Sequence, residues 1–310
     1  MPSRDEISAA FARVSSYTRR TPVLDVVAGT FGIDGPLSLK LEALQVTGSF
    51  KPRGAFNRML TADVGEAGVV AASGGNFGLA VGHAARTLGH LAEIFVPATS
   101  PTAKIERVRA SGAEVTVVDG VYDDASAAAA ARQHETGAVW MHPYDQPEVV
   151  AGQGTIGLEL SEQAPSAETV LVSVGGGGLI AGIASWFAGE VRVVAVEPAT
   201  SRSLGAALEA GEPVDVPVSG IAIDSLGARR VGDIAFRAAR AHVDRCLTVS
   251  DDDIRSAQRA IWGELHLLAE PGGAAALAAL MNGAYLPDPG ERVVVVVCGS
   301  NGDPAPLIGH

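Results

Sequence analysis

Three short stretches of this sequence combine residue types that do chemistry. The first is Gly175-Gly176-Gly177-Gly178, set between the apolar run 170–174 and the helical stretch LIAGIASWFAG. Four consecutive glycines cost backbone entropy. They let the chain approach a ligand closely and aim several N–H groups at it. The helix that follows adds its positive end, so the site suits a phosphate. A plain strand-to-helix turn needs one or two glycines rather than four, which favours the anion site. The loop lacks Gly-Lys-Ser/Thr and is not a P-loop. The strict dinucleotide fingerprint also fails, because its third glycine would fall on Ile180 or Ala181, although the relaxed form allows alanine there. Glu197 stands about 20 residues further on, where a ribose-binding acid would sit. A nicotinamide-dinucleotide-binding protein therefore remains open as an alternative.

The second stretch is Thr47-Gly48-Ser49-Phe50-Lys51-Pro52-Arg53-Gly54-Ala55. Pro52 near the first position of a helix places Lys51 at that helix's N-terminus. The positive end of the dipole disfavours an ammonium and lowers its pKa. A lowered-pKa amine is what Schiff-base chemistry needs. The plainer reading is a solvated surface lysine. The third stretch, Ser73-Gly74-Gly75-Asn76-Phe77-Gly78, joins the run 69–72 to another helical segment. Its backbone N–H groups and Ser73 could hold a second anion, such as a substrate carboxylate, and Asn76 offers a donor for a phenolate-type oxygen. Such turns also occur as mere connectors.

These stretches need elements to position them. Buried-strand runs lie at 69–72, 93–96, 114–118, 170–174, 191–196 and 293–297. Helical segments lie between them, at 78–89, 102–111, 124–136, 178–188 and 252–268. Strands apolar on both faces and separated by helices indicate parallel sheets covered on both sides, an α/β class with open twisted sheets. Ser250 followed by three aspartates reads as a helix N-cap.

The chain has 310 residues and a net charge of −12. An acidic chain without a basic run does not bind nucleic acid or an anionic membrane surface. No apolar run is long enough to span a bilayer. The N-terminal segment has no apolar core, so it is not expected to act as a signal peptide. Cys246 and Cys298 are too few for a disulfide framework or a zinc site and suit a reducing cytosol. The expected location is cytoplasmic. Only three of the 23 basic residues are lysines: Lys40, Lys51 and Lys104. Lys40 and Lys104 read as surface residues.

Taken together, the motifs resemble pyridoxal-phosphate enzymes of the tryptophan-synthase-β fold type, above all serine/threonine dehydratases and the related serine racemases. The resemblance spans nearly the whole chain. It rests on the Lys51 segment, the Ser73–Asn76 loop, His142-Pro143, Pro147–Gly157, Gly175–Gly178, Glu270-Pro271 and Cys298-Gly299-Ser300-Asn301. It implies two open twisted, mostly parallel sheets with flanking helices. A large cofactor domain (1–60 plus 147–310) would carry a small mobile domain (61–146). It implies a lyase of amino-acid metabolism acting by β-elimination: L-threonine or L-serine gives 2-oxobutyrate or pyruvate plus ammonia.

By the same resemblance Lys51 holds pyridoxal 5'-phosphate as a Schiff base and is the base at the substrate Cα. Phe50 packs on the cofactor ring and Asn76 bonds its hydroxyl oxygen. Gly175, Gly176, Gly177, Gly178 and the Leu179 amide cradle the phosphate. Cys298 sits opposite the pyridine nitrogen, where a nearly neutral thiol would not keep that nitrogen protonated. Read without the resemblance, Cys298 is a small buried hydrophobe. Ser73, Gly74 and Gly75 receive the substrate carboxylate.

Some positions depart from the pattern. Racemases of this type carry serine where this chain has Gly74, so little racemase activity is expected. The frequent cation site pairs a Glu matching Glu197 with an Asp that is Ser203 here, so no metal is assigned. The isoleucine-sensing regulatory domain of longer threonine deaminases is not expected. A homodimer is implied by resemblance alone. A β-replacing synthase, or a lyase for a modified hydroxy-amino acid, stays open within the class, with side-chain selectivity placed near Tyr144 or 220–227.

Overall fold

A computed structural model describes residues 1–305. Among them are ten strands: β1 Val23–Val26, β2 Leu37–Lys40, β3 Val69–Ala72, β4 Ala92–Pro97, β5 Glu114–Val118, β6 Val139–Trp140, β7 Thr169–Ser173, β8 Arg192–Pro198, β9 Val243–Val249 and β10 Val293–Val296. The first six α-helices are α1 Arg4–Val14, α2 Lys51–Thr61, α3 Asn76–Leu88, α4 Thr102–Ala110, α5 Tyr122–Thr136 and α6 Pro147–Gln163. The rest are α7 Gly178–Phe187, α8 Ser203–Ala210, α9 Ile223–Leu226, α10 Asp233–His242, α11 Asp251–Leu265 and α12 Pro271–Met281.

The strands form two sheets, of order β1-β2-β10-β7-β8-β9 and β5-β4-β3-β6. Only the β1–β2 pair is antiparallel. The two-residue alternation of a strand divides the core. In β10 and its extension, Val293, Val295 and Val297 pack into one apolar cluster. Val294, Val296 and Cys298 pack into the cluster on the other face. In the smaller sheet Val69 and Ala71 face one cluster, and Val70 and Ala72 the other. Both faces are covered, as continuous apolar strands require.

All six expected strands form. The unexpected ones are β1, β2, β6 and β9. Three of these close a sheet edge (β1, β6 and β9), where one unpaired side admits polar residues and blurs the apolar signal. The Ser250 cap also forms, with its hydroxyl accepting from the Asp253 amide and Asp253 bonding back to Ser250.

Lys40 is not a surface residue. It lies fully buried in β2, with Nζ donating to Glu159 at 2.5 Å and to the Thr21 carbonyl at 2.9 Å. Arg53, also fully buried, donates to Glu42 at 2.8 Å and to Glu159 at 2.7 Å. Two cations thus match two buried carboxylates, and removing either partner would leave an uncompensated charge. Burial would raise the Glu42 carboxyl, but Arg53, with Lys40 and the Thr21 hydroxyl, holds the group below its ordinary value.

Candidate active site

The Lys51 segment is tied to the end of β10. Ser49 bridges to Gly299, and the Phe50 amide donates to the Cys298 carbonyl at 3.2 Å. Ser300 in turn donates its amide to the Gly48 carbonyl at 2.8 Å. Gly48 has φ +76°, and a Cβ there would stand 2.7 Å from Asn301 Oδ1, so the turn needs glycine. Lys51 then opens α2, with Pro52 in its first turn, where a missing N–H costs nothing.

The Lys51 amine donates to the Pro143 carbonyl at 3.0 Å and sits over the rings of Phe50 and Phe77, 5.0 Å and 5.6 Å from their centres. Its pKa is brought down to about 8. The cause is burial, which outweighs the opposing influence of Glu270. The helix end that the sequence suggested is not the leading cause.

Cys298 is 3% exposed and donates its Sγ–H to the Gly272 carbonyl at 3.3 Å. Burial first and then Glu270 push its thiol up, so it stays neutral. It lines the same cavity as Lys51.

The glycine loop leaves β7 and enters α7 with no side-chain cap. Among the described residues, no protein acceptor takes the amide hydrogens of Gly175, Gly176, Gly177, Gly178 or Leu179. Orphaned donors at a helix start are the signature of an anion seat. The glycines also have a packing reason that the sequence concealed. A Cβ on Gly176 would come within 2.2 Å of the Tyr144 ring, and one on Gly177, at φ +88°, within 2.4 Å of Ala235 Cβ.

The Ser73–Asn76 loop leaves β3 and opens α3, again without a side-chain cap. A Cβ on Gly74 would meet Ser100 Oγ at 2.6 Å and Val96 Cγ1 at 2.7 Å. Asn76 is already engaged by protein: its Nδ2 donates to Glu270 Oε1 at 2.6 Å, and its Oδ1 accepts from Asn301 at 2.8 Å. One Nδ2 hydrogen is left for a ligand.

Glu270 received no role from the sequence beyond its place in a motif. It is 6% exposed, and burial raises its carboxyl to about 7, partly offset by the Asn76 bond and by Lys104 and Arg107. His142 was likewise only part of a motif. Burial lowers it to about 4, and its Nδ1 accepts from the Tyr144 and Asp145 amides. That turn aims the Pro143 carbonyl at Lys51 and the Tyr144 ring at the glycine loop. A lone His or Glu carries no pattern that sequence spacing could reveal.

Two expectations change. Lys104 is half-buried on the cavity wall and pairs with Asp224 at 2.5 Å, rather than standing free at the surface. Glu197 is fully buried. Its carboxylate accepts from the Leu204 and Gly205 amides at 2.7 Å and 2.8 Å and from the Cys246 thiol at 3.2 Å. It therefore caps the start of α8 rather than offering itself to a ribose or a cation. Among the described residues no cluster of His, Cys, Asp or Glu could hold a metal ion.

All twelve expected site residues line one cavity of about 820 Å³ at the C-terminal ends of β3, β7 and β10. That is where open parallel sheets bind ligands. A buried amine, a free run of phosphate-seeking amides, and a neutral thiol share this space, a donor set that fits a phosphorylated aldehyde. A family model described as pyridoxal-phosphate dependent enzyme matches residues 14–299. The chain belongs to this family.

An L-threonine ammonia-lyase of Thermotoga maritima is 36% identical over 98% of this chain and 76% of its own length. A phenylserine dehydratase of Ralstonia pickettii is 35% identical over 100% of this chain and 96% of its own. Among solved structures, maize serine racemase has a TM-score of 0.91 at 32% identity, covering 97% of this chain and 94% of that one. A threonine deaminase from T.th. has a TM-score of 0.89 at 37% identity, covering 97% and 99%. The fold is thus the tryptophan-synthase-β-like one, and the cofactor is pyridoxal phosphate.

Proposed function

We propose that the chain is an ammonia-lyase that dehydrates L-threonine and L-serine to 2-oxobutyrate or pyruvate and ammonia. The observation that carries this reading is the Lys51 amine, near pKa 8, facing the uncapped glycine loop across one cavity. Similarity to threonine ammonia-lyases supports it.

Bound pyridoxal phosphate supplies an electron sink for charge that develops at the substrate Cα. Gly175 to Leu179 would hold its phosphate, Phe50 would pack on its ring, Cys298 would face its nitrogen and Asn76 would meet its hydroxyl. Ser73, Gly74 and Gly75 bind and orient the substrate carboxylate through backbone N–H groups. Lys51 takes the proton from Cα, and the β-hydroxyl leaves. The released enamine hydrolyses to the 2-oxo acid and ammonia. Neutral Cys298 offers no carboxylate that would keep the ring nitrogen protonated, which would favour elimination over transamination. Gly74 brings no hydroxyl to the face opposite Lys51, so racemisation is minor.

Residues 61–146 form a small domain that closes over the substrate and excludes water. The protein works as a cytoplasmic homodimer. No helix among the described residues is long and apolar enough to cross a membrane.

The test is 2-oxo acid release from both amino acids by wild type and Lys51→Ala. The variant should lose at least about a thousandfold in kcat. Undiminished turnover in it would sink the reading. The same assay read for D-serine should show much less of it than pyruvate.

A further inference from the structure

The rim of the cavity is unusual in what it leaves uncovered. Ten large apolar residues are notably exposed among the described residues, and three of them line this one cavity: Val121 at 56%, Tyr122 at 43% and Ile223 at 45%. Val121 and Tyr122 enter from the start of α5 beside the smaller sheet. Ile223 opens α9 beside the larger one. Val218, half-buried, extends the apolar surface.

The charges on the same rim are matched with one another. Arg229 faces Asp123 at 3.4 Å, Arg230 faces Asp215 at 3.6 Å, and Lys104 holds Asp224 at 2.5 Å. Three cations and three carboxylates cancel, so the rim offers no spare charge to an ionised side chain. Tyr144, which the sequence placed near the substrate, spends its hydroxyl on the Arg230 carbonyl at 3.3 Å. Apart from the Thr99 and Ser100 hydroxyls, what remains unpartnered is apolar and aromatic. The cavity of about 820 Å³ has to take the cofactor and the substrate together. A methyl substituent leaves most of this rim wet.

We propose that the side-chain subsite takes 3-hydroxy amino acids with an uncharged, bulky apolar or aryl group on Cβ, held between Tyr122 with Val121 on one wall and Ile223 with Val218 on the other. The proposal rests on the dehydratase reading and refines its substrate class. The chemistry is unchanged: the Cα–H and Cβ–O bonds break and water leaves. Hydrolysis of the enamine then gives R–CH2–CO–COO⁻ and ammonium, with no net oxidation.

The test compares the holoenzyme on L-threonine and on L-3-phenylserine, read by ammonia release, with wild type, Tyr122→Ser and Ile223→Ser. Wild type should favour phenylserine in kcat/KM by about tenfold or more. Each variant should cut that preference by about tenfold. A parallel calorimetric titration uses L-phenylalanine and L-alanine, which lack the β-hydroxyl and cannot eliminate. Phenylalanine should bind at least about tenfold tighter to wild type. Preference for threonine, or equal binding of the two analogues, would overturn the proposal while leaving the dehydratase reading intact. Ammonia from neither hydroxy-amino acid would instead remove the dehydratase reading beneath it.

Discussion

Lys51 owes its chemistry to its surroundings. Burial disfavours the ammonium form, while Glu270 favours it, and burial wins. The amine therefore carries a usable lone pair near neutral pH, which arginine could not offer at this position. A direct check uses cofactor-free protein and acetic anhydride at graded pH, with modification of Lys51 followed by mass spectrometry. Labelling should rise with pH and reach half its maximum near pH 8, the value at which the amine is half-neutral. A profile still climbing as an ordinary lysine would, towards pH 10, would show that the cavity does not depress this group. The residue was legible in the sequence because Thr-Gly-Ser-Phe-Lys-Pro is a specific string. The cause of its shift was not, because burial is a property of the fold. The same limit explains Lys40: nothing local to β2 announces that Glu159, far along the chain, will meet its amine at 2.5 Å.

At the scale of elements, the junction of β7 with α7 does two jobs at once. Among the described residues its amides take no protein acceptor, and its glycines let Tyr144, Ala235 and Leu226 pack against the loop. Gly176→Ala should separate these features from Lys51. The new Cβ must displace the Tyr144 ring, which it would otherwise approach to 2.2 Å, and so disturb the wall of the phosphate seat. Equilibrium dialysis should show the cofactor bound at least about tenfold more weakly, a loss of about 1.4 kcal/mol. Unchanged affinity would mean that the loop tolerates a side chain and that its four glycines are incidental. The strand-loop-helix units were readable because β3, β7 and β10 are apolar on both faces and glycines punctuate their ends. The edge strands β1 and β9 were not, since their burial alternates irregularly and their polar residues read as loop. The cradle was visible as composition, and its packing partner Tyr144 only as geometry.

Across the whole molecule, the two sheets meet through the site rather than beside it. Asn76 at the end of the smaller sheet's β3 bonds Glu270 and Asn301, both from the side of the larger sheet. Arg107 on α4 also donates to Asn301, and Lys104 reaches Asp224. Glu270 is the buried, titratable member of this bridge. Its carboxyl is raised from 4.5 to about 7, with burial as the leading cause. Between those values the folded protein keeps a proton at Glu270 that the unfolded chain has lost. More protons bound in the folded state mean that stability falls as pH rises through this window and levels off above about 7. Glu270→Gln has no proton to release and preserves an acceptor for Asn76. Relative to wild type it should therefore gain stability with rising pH, by an order of 2–3 kcal/mol between pH 4.5 and 8. Urea denaturation of both proteins at pH 5 and pH 8 measures the difference. A gap that does not widen with pH would place Glu270 in contact with water, and the bridge between the sheets would then not be sealed.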